Sequence, residues 1–247
     1  MKVLATYNIK GGVGKTATAV NLAYLAAEQG ARTLVWDLDP QGAASFYFRV
    51  KPKVKGGSEA LIRGRRAVDR AVKGTDYDNL DLLPADFSYR NMDLELGDTK
   101  KRTRRIDLLI QPLAKQYDYV FLDCPPSISL VSENVFRAAN ALVVPLIPTT
   151  LSLRTFAQLD RFLADNPGRK KQQILAFFSM VDNRKNLHRE LVEKVSADRH
   201  DVLATRIPAA SDIERMGIKR APLPAFAPRS RSATAYRALW AEIQARL

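Results

Sequence analysis

A glycine-rich segment between an apolar run and a helical pattern constrains this chain more than any other feature. Residues 9–16 read Ile-Lys-Gly-Gly-Val-Gly-Lys-Thr. Residues 3–7 before them are apolar and β-branched, as in a strand, and residues 15–29 place alanine and leucine at helical spacing up to Gly30. A strand, a glycine turn and a helix in this order predict a phosphate cradle, because the turn directs N–H groups at the anion and the helix dipole favours negative charge.

The residues of this loop suit the binding of a nucleotide and its metal ion. The glycines let the backbone bend tightly, Lys15 would reach the β- and γ-phosphates, and the Thr16 hydroxyl would bind Mg²⁺. The expected nucleotide contacts are Gly11, Gly12, Val13, Gly14, Lys15, Thr16 and Ala17. The common form of the pattern has glycine where this chain has Ile9, and the additional Lys10 is not part of it.

Two further apolar runs end in carboxylates. Residues 32–37 lead to Asp37 and Asp39, and residues 119–122 lead to Asp123. Open α/β sheets bind ligands at the carboxyl ends of their strands, so these carboxylates are expected beside the glycine loop. An apolar strand that ends in Asp is typical of the Mg²⁺-side carboxylate of a P-loop NTPase, which makes Asp123 a metal-site candidate.

The rest of the chain alternates between strand and helix patterns. This predicts an α/β fold, a doubly wound and mostly parallel sheet with helices on both faces. Further strands are predicted at residues 80–83, 141–145, 174–180 and 202–207. Further helices are predicted at residues 58–72, 106–117, 133–139, 153–166, 187–198 and 233–246. No proline- or serine-rich linker divides the 247 residues, so residues 1–247 are expected to form a single domain.

Several compositional features point to a cytoplasmic protein. The chain has no apolar run of about 18 residues that could span a membrane. The first strand pattern begins at residue 3, which leaves no room for a signal peptide. Cys124 is the single cysteine, so an internal disulfide is excluded and a reducing compartment is expected.

The charge of the chain favours a polyanionic partner. Its formal net charge is +13, and residues 49–74 hold nine basic side chains against two acidic ones. Residues 100–105 hold five basic side chains and no acid, and a third basic group lies between residues 219 and 246. A charge run is often only a solvated surface, and that alternative stays open for each cluster. No helix-turn-helix or zinc module is evident, so DNA would be bound through its phosphates, without sequence preference.

The loop pattern K-G-G-x-G-K-[ST], with its second lysine, resembles the deviant Walker A loop of the ParA/MinD family of dimerising P-loop ATPases. The sequence Asp-Leu-Asp-Pro-Gln-Gly at residues 37–42 adds to this resemblance. Residues 180–187, 206–208 and 227–236 follow the order seen in the ParA partition branch, so the similarity spans essentially the whole chain. The resemblance implies a P-loop NTPase fold, ATP and Mg²⁺ as cofactors, and ATP hydrolysis that is weak until it is stimulated.

The resemblance also implies roles for individual residues. Lys10 would reach across a homodimer to the partner's phosphates, and Asp39 would position the attacking water. Lys10, Lys15 and Asp39 are thus the expected catalytic residues. Asp37 would support Mg²⁺ through its water shell, which makes Thr16, Asp37 and Asp123 the expected metal site. Asp182 and Pro208 would approach the adenine.

Basic residues in the loops after Asp182 and Pro208 commonly touch DNA in this family. Arg184 is therefore a candidate DNA contact. Many ParA proteins carry arginines just after this proline, but residues 209–212 of this chain read Ala-Ala-Ser-Asp. The DNA surface is accordingly expected to be rearranged or weaker than usual. The remaining candidate contacts are Arg215, Lys219 and Arg220 near the C-terminus and Arg65 and Arg66 in the first basic cluster.

The expected function is that of an ATPase that dimerises on ATP binding and holds nonspecific DNA of the nucleoid. A ParB-like or cargo-adaptor partner would stimulate hydrolysis, and the cargo could be a plasmid, a chromosome or a protein assembly. A MinD-like membrane-surface ATPase is one alternative. It is disfavoured because the apolar stripe of residues 233–246 is typical of packing against a sheet, so no membrane partner is expected. A metabolic P-loop enzyme acting on a small molecule is the other.

Overall fold

The computed structural model describes residues 1–65, 67–165 and 172–247. One eight-stranded sheet runs through these residues. Its strands are β1 (Lys2–Thr6), β2 (Thr33–Asp37), β3 (Lys73–Gly74), β4 (Leu80–Leu83), β5 (Tyr119–Asp123), β6 (Ala141–Leu146), β7 (Gln173–Val181) and β8 (Val202–Pro208). The spatial order is β3-β4-β2-β5-β1-β6-β7-β8. Every neighbouring pair is parallel except β3 and β4. The predicted doubly wound, mostly parallel α/β fold is confirmed.

Helices cover both faces of this sheet. They are α1 (Lys15–Glu28), α2 (Ala43–Tyr47), α3 (Gly57–Ile62), α4 (Met92–Gly97), α5 (Arg105–Ile110), α6 (Leu130–Ala138), α7 (Thr150–Asp165), α8 (Asn186–Asp198), α9 (Ser211–Lys219), α10 (Leu223–Phe226) and α11 (Arg231–Arg246). Side chains of α3 to α8 pack into the core on one face, and those of α1, α2 and α9 to α11 into the core on the other. Because both faces are covered, β2 and β6 are buried along their whole length and read as continuous apolar runs.

The register of the central strands gathers their carboxyl ends in one row. Thr6 at the end of β1 pairs with Asp123 at the end of β5, and Asp123 pairs in turn with Asp37 at the end of β2. The glycine loop of residues 7–14 leaves β1 at this row and leads into α1. We refer to this side of the sheet, with the loops that follow the strand ends, as the carboxyl edge.

Two predicted helices were wrong in extent. The helix predicted at 58–72 ends at Ile62, since Gly64 takes a left-handed backbone with φ of 69°, and only a 3₁₀ turn, Asp69–Ala71, follows. The helix predicted at 106–117 is α-helical only as far as Ile110 and continues as a 3₁₀ helix, Gln111–Lys115.

The other differences concern where a helix begins and which short elements were not predicted. The helix predicted at 153–166 begins earlier, at Thr150, and its predicted last residue, Asn166, lies outside the described residues. The sequence did not predict α2, α4, α9, α10 or β3. With nine residues or fewer, these elements are too short to show a clear hydrophobic period.

Candidate functional site

The glycine loop is anchored to the sheet by Asn8. This side chain is 2% exposed, and its Nδ2 donates a hydrogen bond of 2.8 Å to the carbonyl of Pro145 on β6. Its Oδ1 accepts a bond of 2.9 Å from the backbone N–H of Lys10. Asn8 therefore ties the backbone of the loop to β6 where the loop leaves the sheet. Asn8 was not among the predicted site residues, although a polar side chain directly after an apolar strand was an available signal.

Two glycines give the loop its shape. Gly12 and Gly14 have φ angles of 71° and 93°, a left-handed conformation that disfavours other residues. Gly14 also lies close to β7, because a Cβ at this position would come within 3.1 Å of Ser179 Oγ. Helix α1 begins directly afterwards at Lys15, so its unpaired N–H groups and positive dipole end face the loop. The predicted phosphate cradle thus has the required backbone form.

Lys10 and Lys15 are held in different ways. Lys15 is 7% exposed, and its ammonium donates a hydrogen bond of 3.2 Å to the carbonyl of Lys10 across the loop. Burial lowers the pKa of Lys15, against the opposing effect of the Asp123 charge. Lys10 is partly exposed, and its backbone N–H is held by Asn8. Within the described ranges, the Lys10 ammonium itself has no bonded partner.

Asp37 and Asp123 form a buried pair of carboxylates at the carboxyl edge. Both side chains are fully buried. Asp37 Oδ2 accepts bonds of 2.7 and 2.8 Å from the N–H and hydroxyl of Ser45, at the start of α2. Asp123 Oδ1 is 3.4 Å from the Thr6 hydroxyl. Asp37 Oδ1 and Asp123 Oδ2 have no partner in the part of the chain that the structure describes.

The electrostatics of this carboxylate pair favour a bound cation. Burial raises the pKa of Asp37 to about 6, and burial together with the Asp37 charge raises the pKa of Asp123 well above its ordinary value. The nearby Thr16 hydroxyl acts in the opposite direction and lowers the pKa of Asp123. Unpartnered oxygens of two adjacent carboxylates are costly to bury, and a divalent cation would satisfy both.

Thr16, Asp37 and Asp123 accordingly fit a Mg²⁺ site. Among the described residues, no cluster of three or more acidic, histidine or cysteine side chains could hold a metal ion. Mg²⁺ commonly uses one or two protein carboxylates and completes its shell with water and phosphate oxygens.

Asp39 lies on the turn that follows β2. Its Oδ1 accepts a bond of 2.9 Å from the Gln41 N–H, and its carbonyl accepts one of 2.9 Å from the Gly42 N–H. The Asp39 side chain is partly exposed, in contrast to Asp37. Its negative charge acts on both Asp37 and Asp123, so the three carboxylates lie within electrostatic reach of one another.

The residues predicted to approach the adenine lie at the same edge. Val181 at the end of β7 pairs with Pro208 at the end of β8, which brings Asp182 and Pro208 to adjacent strand ends. Asp182 accepts bonds of 3.0 Å from both Nε and Nη2 of Arg184. The Arg184 guanidinium lowers the pKa of Asp182 to about 2. Arg184 is thus both a predicted DNA contact and the ion-pair partner of a predicted adenine contact.

The structure does not bring the other predicted DNA contacts together. Arg65 follows α3 on one side of the sheet and lies 3.5 Å from Glu59. Arg215, Lys219 and Arg220 lie on or next to α9, which packs on the opposite face. The Arg220 guanidinium lies 4.6 Å from the centre of the Phe46 ring and donates to the Phe46 carbonyl at 3.1 Å.

Arg66 lies outside the described residues.

Comparison with known proteins agrees with this site. The model of a family described as an AAA domain matches residues 1–176. The sporulation initiation inhibitor protein Soj of Bacillus subtilis is 31% identical over 249 residues, which cover 99% of this chain and 98% of the relative. The chromosome partitioning protein ParA of Myxococcus xanthus is 34% identical over 201 residues, covering 78% of this chain and 70% of the relative.

A solved structure gives a similar result. The cobyrinic acid a,c-diamide synthase of Mycobacterium smegmatis with bound ADP and magnesium superposes with a TM-score of 0.84 at 30% identity. The superposition covers 99% of this chain and 94% of the synthase chain. Together with the two-lysine loop at the carboxyl edge, these matches show that the chain belongs to the ParA/MinD family of P-loop ATPases, enzymes whose cofactors are ATP and Mg²⁺.

Proposed function

We propose that this chain is an ATPase that dimerises on binding ATP and Mg²⁺, holds nonspecific DNA in that state, and partitions or positions a cargo. The observation that carries this proposal is the contrast between the two loop lysines. Lys15 is buried and folded over the cradle, whereas the Lys10 ammonium is without a bonded partner within the described ranges. Lys15 would bind the phosphates of its own subunit's nucleotide, and the Lys10 ammonium would be available to the nucleotide of a second subunit.

Different residues of one subunit bind the phosphates, bind Mg²⁺ and orient the attacking water. The loop N–H groups and Lys15 hold the phosphates, while Thr16, Asp37 and Asp123 hold Mg²⁺. The metal ion supplies charge neutralisation at the β- and γ-phosphate oxygens. Asp39 accepts a hydrogen bond from a water molecule and orients it towards the γ-phosphorus. A bond forms from the water oxygen to the γ-phosphorus as the bond between that phosphorus and the β–γ bridging oxygen breaks. The products are ADP and phosphate.

The second subunit would complete this site. Lys10 of that subunit would neutralise charge that develops on the transferred phosphoryl group, as an arginine finger does in other NTPases. A homodimer that closes over the carboxyl edge places the two loops face to face. Hydrolysis would then remove the charge that Lys10 binds and open the dimer.

Exposed apolar side chains support a protein partner at the carboxyl edge. The last residues of β7 and the loops and helix starts after β4 to β7 present large apolar side chains that are between 37% and 66% exposed, namely Phe87, Ile128, Leu151, Met180 and Leu187. Such residues on the same edge as the glycine loop are typical of a surface that becomes buried on association. A second copy of this chain, bound loop to loop, would cover them.

DNA binding would follow from the charge of the chain. With a net charge of +13, a dimer doubles the number of phosphate contacts, so the ATP state would bind DNA more tightly than the monomer. Association with the nucleoid in the cytoplasm would result. A ParB-like or cargo-adaptor partner that stimulates hydrolysis would release the protein locally. The relatives named as Soj and as a chromosome partitioning protein support such a role.

The C-terminal helix does not support a membrane-bound function. Tyr236, Leu239, Trp240 and Ile243 of α11 are each at most 1% exposed and pack into the core. The stripe is therefore not available to lipid, as its sequence pattern predicted. Among the residues that the structure describes, none of the helices combines the length and apolar character needed to cross a bilayer.

A metabolic function is the second candidate, because the cobyrinic acid a,c-diamide synthase is 30% identical over nearly the whole chain.

DNA binding measured with ATP, with ADP and without nucleotide, at several salt concentrations, separates the DNA-binding ATPase from the metabolic enzyme. The proposal predicts DNA binding that requires ATP and weakens with salt, and Lys15→Ala protein serves as the control without bound nucleotide. ATP turnover that requires a small molecule, with no DNA binding, would favour the metabolic enzyme.

A further inference from the structure

An open cleft at the outer edge of the sheet is lined by lysines. Its volume is about 700 Å³, and it lies between residues 50–56 and the edge strand β3. Four lysines line it, and we call it the lysine cleft: Lys51, Lys53, Lys55 and Lys73. Among the residues that the structure describes, the lining of this cleft includes no acidic side chain.

The four lysines of this cleft form no ion pair within the described ranges. In contrast, Arg65 shares Glu59 with a neighbouring arginine, and Arg184 is bound to Asp182. The positive charge of the lysine cleft is therefore available to an external anion.

The backbone that carries three of these lysines is fixed. Val54 is 4% exposed, and its N–H donates a bond of 2.8 Å to Asp86 Oδ2. The N–H of Lys53 donates to the carbonyl of Lys51 at 2.8 Å, which closes a tight turn around Pro52. A lysine on a fixed backbone loses less conformational entropy on binding than one on a mobile loop. The segment is thus ordered for binding although it is neither helix nor strand.

The lysine cleft adjoins the nucleotide site. The Pro52 ring packs against Gly42, where an added Cβ would come within 3.2 Å of Pro52 Cβ. Gly42 closes the turn that carries Asp39, through its N–H bond to the Asp39 carbonyl. The turn that carries Asp39 thus contacts the segment that carries three of the cleft lysines.

A second basic cleft lies at the other end of α3. Its volume is about 540 Å³. Its basic lining residues are Arg63, Arg65, Lys100, Lys101 and Arg105. Gly56, which precedes α3, lines the lysine cleft, and the helix of six residues between the two clefts is about 9 Å long. Although Glu59 pairs with Arg63 and Arg65 in the second cleft, two basic clefts this close together suit a polymer with regularly repeated charges better than a compact acidic ligand.

We propose that the lysine cleft binds the DNA phosphate backbone, which continues along α3 into the second basic cleft. This inference rests on the proposed function and deepens it. It places the DNA surface at the outer edge of the sheet and along α3 rather than on α9. Contacts with phosphates alone would be indifferent to base sequence.

The test compares two double variants that lose the same charge. Lys53→Gln with Lys55→Gln removes two cleft lysines, and Lys115→Gln with Lys194→Gln removes two exposed lysines elsewhere. DNA affinity is measured with ATP across salt concentrations on two unrelated duplexes. The cleft variant should weaken binding to both duplexes and lower the slope of log affinity against log salt by about 2, while the control variant keeps the wild-type slope. Lys53→Arg with Lys55→Arg should bind like the wild type.

Each result of this test is decisive. Equal slopes for the cleft and control variants, with wild-type protein binding DNA, would overturn the cleft assignment alone. Wild-type protein that binds no duplex in any nucleotide state would overturn both the assignment and the proposed function. Binding of poly-glutamate in place of DNA would likewise exclude a DNA site and indicate an acidic protein partner.

Discussion

Asp37 and Asp123 occupy paired positions on the neighbouring strands β2 and β5, and in the described part of the chain each has one buried carboxylate oxygen without a hydrogen-bond partner. Sheet register alone places them side by side, so the repulsion between them is built into the fold. We propose that a shared cation satisfies the same oxygens. The pair would then link the stability of the fold to occupation of the metal site.

The pair predicts a pH-dependent effect of Asp37→Asn on stability without Mg²⁺. The pKa of Asp37 is raised from 3.8 to about 6, so its carboxyl stabilises the fold when protonated, below about pH 4, and this stabilisation is lost as the pH rises through 6. Relative to wild type, the Asn variant should be more stable at pH 7 by on the order of 2 kcal/mol, and the difference should vanish near pH 4. Urea unfolding at both pH values measures this.

Addition of Mg²⁺ with nucleotide provides the control for that prediction. It should raise the melting temperature of the wild type at pH 7 more than that of the Asn variant, since the variant lacks one carboxylate. A variant that is less stable than wild type at pH 7 without metal would contradict this account of the pair.

Ser45 is predicted to position Asp37. Its N–H and hydroxyl both bond Asp37 Oδ2, and its hydroxyl also accepts the Ala85 N–H at 3.0 Å. Ser45→Ala leaves buried partners unsatisfied and should cost about 1–3 kcal/mol of stability. It should also weaken Mg²⁺ binding, measured by calorimetry with ATP present, whereas Ser45→Thr should restore the affinity. Unchanged affinity in the alanine variant would show that Ser45 is only structural.

Asp39→Ala should separate binding from hydrolysis. Asp39 is partly exposed at the turn after β2, while the predicted metal carboxylates are buried beside it. The variant should bind ATP, form a dimer that persists, and lose phosphate release. Phosphate release and sizing chromatography on the same samples measure both properties. Hydrolysis near the wild-type rate would assign the water-positioning role to another group.

Charge reversal at Arg65 and Arg66 should weaken DNA binding for all sequences alike and flatten its salt dependence. Arg65 belongs to the second basic cleft, at the end of α3. Electrophoretic mobility shifts with two unrelated duplexes test this, and reversal at Arg215 and Lys219 on the opposite face provides the comparison. If the Arg65 and Arg66 variant binds normally, that cluster is only a solvated surface.

The sequence could predict the features that depend on local pattern. The apolar run of residues 80–83 coincides with β4, and the buried stripe of α11 follows from its helical period. The role of Ser45 depends on a helix too short to show a clear hydrophobic period, whereas Asn8 had a local signal, a polar side chain after an apolar strand. The predicted DNA contacts come from separate basic clusters of the sequence, and Arg65 and α9 lie on opposite sides of the sheet. Only the chain path between layers determines that separation.

The central claim is that Lys10 couples ATP binding to dimerisation, and the molar mass of Lys10→Ala protein in ATP and Mg²⁺ tests it most directly. Light scattering coupled to size exclusion should show a dimer for the wild type and a monomer for Lys10→Ala. Binding of a fluorescent ATP analogue should show that this variant still holds nucleotide. Lys15→Ala, the control, should be a monomer without bound nucleotide. A Lys10→Ala protein that still dimerises with ATP would contradict the claim.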